Sequence, residues 1–155
     1  MRKITHYVLR FITNMKFLNQ NSAITKILDR VFLPVEKISK QAIFDCRMCG
    51  QCILHSTGLT CPMRCPKNER NGPCGGVRPN GNCEVFPDKP CVWMQAIERS
   101  PRLPLWQDHI RHLQPPVDWR LKDTSSWTNL LTGRDQVHPK GWDVASENWT
   151  RTDAD

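Results

Sequence analysis

Residues 46–91 read CRMCGQCILHSTGLTCPMRCPKNERNGPCGGVRPNGNCEVFPDKPC, and they contain all eight cysteines of the 155-residue chain. The segment is rich in glycine and proline, which favour turns over helices and strands. We therefore expect loops and turns wrapped around a group that the thiols bind. The eight thiols belong to Cys46, Cys49, Cys52, Cys61, Cys65, Cys74, Cys83 and Cys91.

The overall composition makes a metal group the expected source of stability. A mean hydropathy of −0.54 and 12 prolines argue against a large apolar core, and small domains of this kind usually need disulfides or metals. No stretch predicts a membrane span, and the N-terminal residues do not form a signal peptide. We therefore expect a cytoplasmic, reducing compartment, where clustered cysteines more often bind metal than form disulfides.

The cysteine spacing favours iron–sulfur clusters over zinc. Cys46, Cys49 and Cys52 supply three thiolates in seven residues, as at the start of a ferredoxin run. Zinc sites more often take two ligands from each of two knuckles. Cys61 and Cys65 each precede a proline, a step that is also typical of ferredoxins. Eight thiols would hold two [4Fe–4S] clusters, with zinc as the alternative.

The division of the thiols between two clusters is a separate hypothesis. We expect Cys46, Cys49 and Cys52 to share one cluster with a distant cysteine, and the other four to hold the second. Glycines beside Cys74 and Cys83 could direct backbone N–H groups at sulfur. His55 is a minor alternative ligand, and we expect His109 and His112 to lie on the surface.

Residues 1–45 predict two amphipathic helices. The first apolar face comprises Ile4, Tyr7, Val8, Phe11, Ile12, Met15 and Leu18. The second helix would be capped by Ser22, would place Ile24, Ile27, Leu28 and Val31 on one face, and would end near Leu33-Pro34. We expect these helices to pack on the rest of the domain or on a partner.

Charge bears on the choice of partner. Residues 1–45 have eight Lys/Arg and three acids, a balance of +5 within the +7 of the chain. A basic amphipathic helix makes peripheral membrane contact possible but not favoured. We expect no nucleic acid partner, because the tryptophans that could stack on bases lie elsewhere.

Residues 100–155 contain five of the six tryptophans and many prolines. We predict a helix over 91–99, a short helix over 105–113, a capped helical turn before Leu131, and a loose or partner-bound tail beyond Gly133. Each tryptophan ring is expected to fill a pocket on the surface that the tail follows. The predicted domains are 1–45, 46–99 and 100–155. The fold class is a small, mostly α and irregular, metal-stabilised domain with a loop-rich core and an extended Trp/Pro-rich C-terminal tail.

The cysteine segment resembles the cysteine-rich, MetV-type C-terminal domain family of methylenetetrahydrofolate reductase. The matching residues are Cys46-Arg-Met-Cys49-Gly-Gln-Cys52, Cys61-Pro-Met-Arg-Cys65-Pro-Lys67, Asn71-Gly-Pro-Cys74-Gly-Gly76, Cys83-Glu84 and Cys91-Val-Trp93. Pro116-x-Asp-Trp119 and Thr124-Ser-Ser-Trp127 look like the continuation of the family pattern, so the resemblance spans about residues 44–131.

The resemblance implies a non-catalytic, electron-transferring companion of a flavin-dependent reductase in one-carbon and folate metabolism. A (β/α)8 barrel on a partner chain would carry the folate and flavin sites, because 155 residues are too few for that barrel. The expected assembly is a hetero-oligomer. The alternative is a zinc-binding structural or assembly module that stabilises the reductase or a related demethylase.

Overall fold

The structure, a computed structural model, describes residues 23–137. The expected helix over residues 4–18, the Ser22 cap and the tail beyond residue 137 lie outside that range. Within it are three α-helices and no β-strands, with one isolated bridge between Asn82 and Pro90. The predicted class of α-helices with irregular, loop-rich structure is confirmed for these residues, while metal stabilisation stays a prediction. The helices are α1 (Ala23–Phe44), α2 (Val92–Arg99) and α3 (Ser126–Thr132).

Helix α1 is longer than its sequence indicated. The prediction that it ends near Leu33-Pro34 is wrong, since the helix continues through Pro34 to Phe44. Of the predicted apolar face, Ile27 and Val31 are 62% and 56% exposed within the chain, and packing of this face on a partner stays a prediction. The helix instead buries polar side chains, those of Thr25 and Glu36.

The described residues divide into two compact units. The first combines residues 23–39, 48–51 and 118–137, and the second combines residues 40–47 and 52–117. The predicted boundaries at residues 45 and 99 stay a prediction.

The first unit is held by a buried polar network. Glu36, 1% exposed, accepts hydrogen bonds from the Ser125 hydroxyl at 2.7 Å, from the Ser126 backbone N–H at 3.2 Å and from the Ser126 hydroxyl. The Asn129 amide donates to the Gly50 carbonyl at 2.9 Å. Each buried polar group needs a hydrogen-bond partner. Here the partners lie on three separate stretches of the chain, so the bonds hold these stretches together.

Helix α3 is short and carries a cap at both ends. The Ser125 hydroxyl accepts from the Thr128 N–H, and Gly133 ends the helix in the left-handed conformation, with φ +70°. The predicted helical turn before Leu131 is confirmed. The rings that flank it are not all in pockets, since Trp119 is 52% exposed.

Helix α2 anchors the second unit. It begins after Cys91, as predicted, and buries Trp93 and Ala96 beside Cys91, with Val77 and Ile110 packed against them. The Trp93 indole N–H donates to the Glu69 carbonyl at 3.0 Å. The cysteine loops therefore pack against this helix.

The predicted helix over residues 105–113 is wrong. The structure has only a 3-10 turn at His109–Arg111. Trp106 adopts the left-handed conformation, with φ +62°, which an α-helix does not tolerate. Asn71 then fixes the following segment, because its side chain exchanges two hydrogen bonds with the backbone of Gln114.

The structure also bears on membrane insertion. Over the part of the chain that it describes, no helix combines the length and the apolar character needed to cross a bilayer.

Candidate metal centre

A folded loop brings two distant cysteines to the start of α2. The Cys83 N–H donates to the Lys89 carbonyl at 2.8 Å, and the Cys91 N–H donates to the Gly81 carbonyl at 3.0 Å. The glycine and proline residues of this stretch permit the reversals that these bonds require. These bonds hold the backbone around Cys83 against the backbone around Cys91, although seven residues separate the two cysteines.

Four of the eight cysteines line one cavity. The empty space between its lining atoms, including the part that is open to solvent, has a volume of about 350 Å³. Trp93 and Val77 supply apolar surface to the wall. The lining residues are Cys65, Pro66, Lys67, Cys74, Val77, Cys83, Glu84, Cys91, Val92 and Trp93.

The four thiols form a gradient from core to surface. Cys91 is buried, Cys65 and Cys83 are half-buried, and Cys74 is exposed. All eight cysteines of the chain lie in the described range, and none is joined in a disulfide. Across residues 23–137, no three His, Cys, Asp or Glu side chains are grouped so that they could hold a single metal ion.

Cys61 and Cys46 form a second sulfur contact. The hydrogen bond from Cys46 lowers the pKa of the Cys61 thiol to about 6, although burial opposes the shift. The backbone N–H groups of Arg47 and Met63 and the charge of Arg64 lower that pKa further. A thiol of this kind is largely thiolate at neutral pH, which is the form that binds metal.

The remaining two cysteines of the opening motif are Cys49 and Cys52. The Cys49 thiol donates to the Gln51 carbonyl at 3.5 Å, and Cys49 is buried. The Gln51 side chain in turn accepts from the Asp118 N–H at 2.8 Å. Cys52 is half-buried.

Two charged residues of the cavity wall were not predicted. Lys67 and Glu84 form an ion pair there. Both belong to sequence strings that carry the family resemblance, CPK and CE. Their positions close to cysteines could have indicated that they lie near the site. Their pairing across 17 residues of loop could not be read from spacing.

The three histidines of the described range, His55, His109 and His112, do not line the cavity. His55 packs edge-on against Trp106 and His109, with ring centroids 5.7 and 5.8 Å away. His109 also lies 4.9 Å from His112. Burial lowers the pKa of both His55 and His109, and the charge of the neighbouring imidazole lowers each further.

The donor set of the cavity is compatible with a [4Fe–4S] cluster. Such a cluster takes four cysteine thiolates, and four cysteines face this space. Zinc also takes four cysteine ligands, so the type and number of the lining cysteines are shared by the two groups.

Comparison with known proteins gives a family match that covers more than half of the chain. The family model described as "Methylene-tetrahydrofolate reductase C terminal" matches residues 25–120. The match begins within α1, further towards the N-terminus than the resemblance indicated. No curated protein and no solved structure gives a match.

Proposed function

Because the chain belongs to the methylene-tetrahydrofolate reductase C-terminal family, we propose that it is the iron–sulfur subunit of a flavin-dependent reductase-like complex in one-carbon metabolism. The observation that carries this proposal is the cavity lined by Cys65, Cys74, Cys83 and Cys91. Four thiols around one space with an apolar wall are the ligand set of a [4Fe–4S] cluster. We assign no catalytic residue to this chain.

The proposal divides the eight cysteines into two sets. The cavity cysteines hold one cluster. For the second set, the contact between Cys46 and Cys61 supports Cys61 as the distant partner of the opening motif. Cys49 and Cys52 join that set on sequence grounds, because they share a run of seven residues with Cys46.

Each cluster would pass one electron at a time, so two clusters match the two electrons that a flavin exchanges. The chain's own residues bind these groups and limit their contact with water. The lowered pKa of Cys61 favours the thiolate before metal arrives. Trp93, which is 3% exposed and anchored by its bond to Glu69, forms part of the cavity wall.

The substrate sites belong to another protein in this proposal. The matching family is described as the C-terminal part of methylene-tetrahydrofolate reductase, which supports association with a reductase-like protein. The flavin and the folate would therefore bind a reductase-like partner. The present chain would exchange electrons between that flavin and an external one-electron redox protein.

The decisive experiment is metal analysis of the full chain purified without oxygen. We expect about eight iron and eight acid-labile sulfide per chain, with a brown colour that dithionite bleaches. Replacing Cys83 with Ser should remove about half of the iron. The matched control, His55→Gln, lies in the same loop region but away from the cavity and should keep all of it.

The alternative function predicts the opposite composition. A colourless protein with stoichiometric zinc and no labile sulfide would overturn the electron-transfer role and support a structural zinc module. A protein with full iron in the Cys83→Ser variant would overturn the assignment of Cys83.

A second experiment tests the partner. Anaerobic affinity purification of the tagged chain from its own cells should recover a flavin protein in a fixed ratio, measured by flavin absorbance and mass spectrometry. Reduced chain added to that protein should then reduce the flavin. Recovery of the chain without flavin would contradict a flavoprotein partner.

A further inference from the structure

The wall of the four-cysteine cavity includes an ion pair that touches one of its thiols. The Lys67 ammonium pairs with the Glu84 carboxylate. The Cys74 sulfur lies 3.8 Å from the same carboxylate oxygen, and the Lys67 ammonium also interacts with that sulfur. Lys67, Glu84 and Cys74 thus form a contact triad at the exposed edge of the cavity.

The local backbone is shaped to hold this carboxylate. A Cβ added at Gly76 would meet the Glu84 carboxylate, so a larger residue there would displace the end of the Glu84 side chain. Arg78 donates to the Glu84 backbone carbonyl at 3.4 Å. The pair is therefore positioned by the glycine turn that follows Cys74.

Fold stability does not explain the pair. The side chains of Lys67 and Glu84 are 37% and 49% exposed, and ion pairs of that exposure contribute little to stability. The position of the pair is more informative, because charges and hydrogen bonds at a cluster's sulfurs set its reduction potential.

Resting on the proposed function, we propose that Lys67 and Glu84 are positioning residues that act through Cys74 to set the reduction potential of the cluster in this cavity. A cluster ligated by four thiolates is an anion and gains another negative charge when it is reduced. A lysine ammonium at the Cys74 sulfur stabilises the reduced form and raises the potential. The Glu84 carboxylate holds the ammonium in place, while its own charge lowers the potential.

The test is an EPR-monitored redox titration of the full chain, purified anaerobically. Lys67→Gln should shift the midpoint potential of one cluster downward, and Glu84→Gln should shift the same cluster upward. Lys67→Arg should stay close to the wild type, because it keeps the charge. The second cluster should be unchanged in all three variants.

The matched control is a second ion pair of the same unit. Glu98 and Arg102 pair on the surface, 68% and 70% exposed, and neither lines the cavity. Glu98→Gln and Arg102→Gln should therefore leave both potentials unchanged. Opposite shifts in one cluster support the inference, since a merely structural role for Lys67 and Glu84 would not produce opposite signs.

The outcomes separate this inference from the proposed function. If both clusters assemble but the Lys67 and Glu84 variants shift no further than the controls, the inference is overturned and the iron–sulfur role stands. If Lys67→Gln and Lys67→Arg both lose the iron of one cluster, the role of Lys67 is structural and the inference is overturned. If the wild-type chain contains no iron or labile sulfide, the proposed function fails, and the inference with it.

Discussion

Gly50 lies in the middle of the opening cysteine motif and in contact with Leu121. Its φ is +76°, and an added Cβ would lie 2.2 Å from the Leu121 carbonyl oxygen. A side chain here would meet both backbone strain and a collision with backbone that cannot move independently. The glycine of CRMCGQC is therefore required by the packing of the first unit.

We predict that Gly50→Ala lowers the free energy of unfolding by about 3 kcal/mol or more, as strain and overpacking add. Gly81→Ala is the control, because Gly81 has φ +81° but no atom within 4 Å of the added Cβ. Strain alone should cost it about 1–2 kcal/mol. Denaturant unfolding followed by tryptophan fluorescence measures the free energy of unfolding of both variants. Equal losses in the two variants would contradict a destabilising contact at Gly50.

Glu36 is the buried acceptor of the first unit. Removing its carboxylate leaves the donors of Ser125 and Ser126 without this partner in a water-excluded site. We predict that Glu36→Ala lowers the free energy of unfolding by about 2–4 kcal/mol. Glu36→Gln should lose less, because one amide oxygen still accepts.

The same denaturant experiment distinguishes this role from a general effect of charge. Glu98 is an exposed glutamate in an ion pair, so Glu98→Gln should leave stability nearly unchanged. A Glu36→Ala protein as stable as the wild type would show that the network contributes nothing.

At the scale of elements, α1 shows how tertiary contacts override a local stop signal. Pro34 has no N–H for a helical hydrogen bond, and proline disfavours the helical conformation of the residue before it. The helix continues because the turns on either side are anchored. Phe32 packs edge-on against Trp127 at 6.0 Å, and Glu36 is bonded to the start of α3.

His55 and His109 are in contact, and both have a lowered pKa. His55 lies in the turn at residues 53–59. Burial lowers the pKa of His55 and of His109 below the usual 6.5, with Asp108 opposing the shift at His109. The unfolded chain therefore binds protons more readily than the folded chain at these positions. Stability should be constant above about pH 7 and fall as the pH drops below about 6.5.

We predict that the midpoint of thermal unfolding falls between pH 7 and pH 5, and that His109→Gln reduces that fall. The substitution removes both its own lowered pKa and the charge that it places on His55. The internal reference is the unfolding midpoint of each protein above pH 7, where its histidines are neutral. An unchanged fall between pH 7 and pH 5 would contradict this assignment.

At the scale of the whole molecule, the second unit has little apolar surface of its own to bury. Its buried hydrophobic side chains are those of seven residues, Ile53, Leu54, Cys61, Met63, Cys91, Trp93 and Ala96. Long loops between 52 and 117 are fixed mainly by turn hydrogen bonds, which are individually weak. A bound group held by four cysteines would tie these loops together.

We predict that removing iron by oxidation and chelation raises amide exchange across residues 52–117 at least tenfold. Hydrogen exchange read by mass spectrometry resolves this region from residues 118–137, which serve as the reference within the same sample. Unchanged protection across residues 52–117 would show that the loops hold without the metal.

The sequence by itself determined the features that depend on neighbouring residues. Cysteine order and the glycine turns identified the family. The helix that follows Cys91 and stops before Pro101, and the helical turn capped by Ser125, each depend on one short stretch of sequence, so both were predictable. These features need no knowledge of distant contacts.

Only the tertiary structure decided which thiols share a cavity, how far α1 extends and where Lys67 meets Glu84. Each depends on the path of loops whose conformation follows no periodic pattern, since turns at glycine and proline can lead in several directions. The long-range contacts select one path: the Cys91 N–H to Gly81, Trp93 to Glu69 and Glu36 to Ser125. Contacts between residues far apart in the chain have no signature in local spacing, and for that physical reason the site had to be read from the fold.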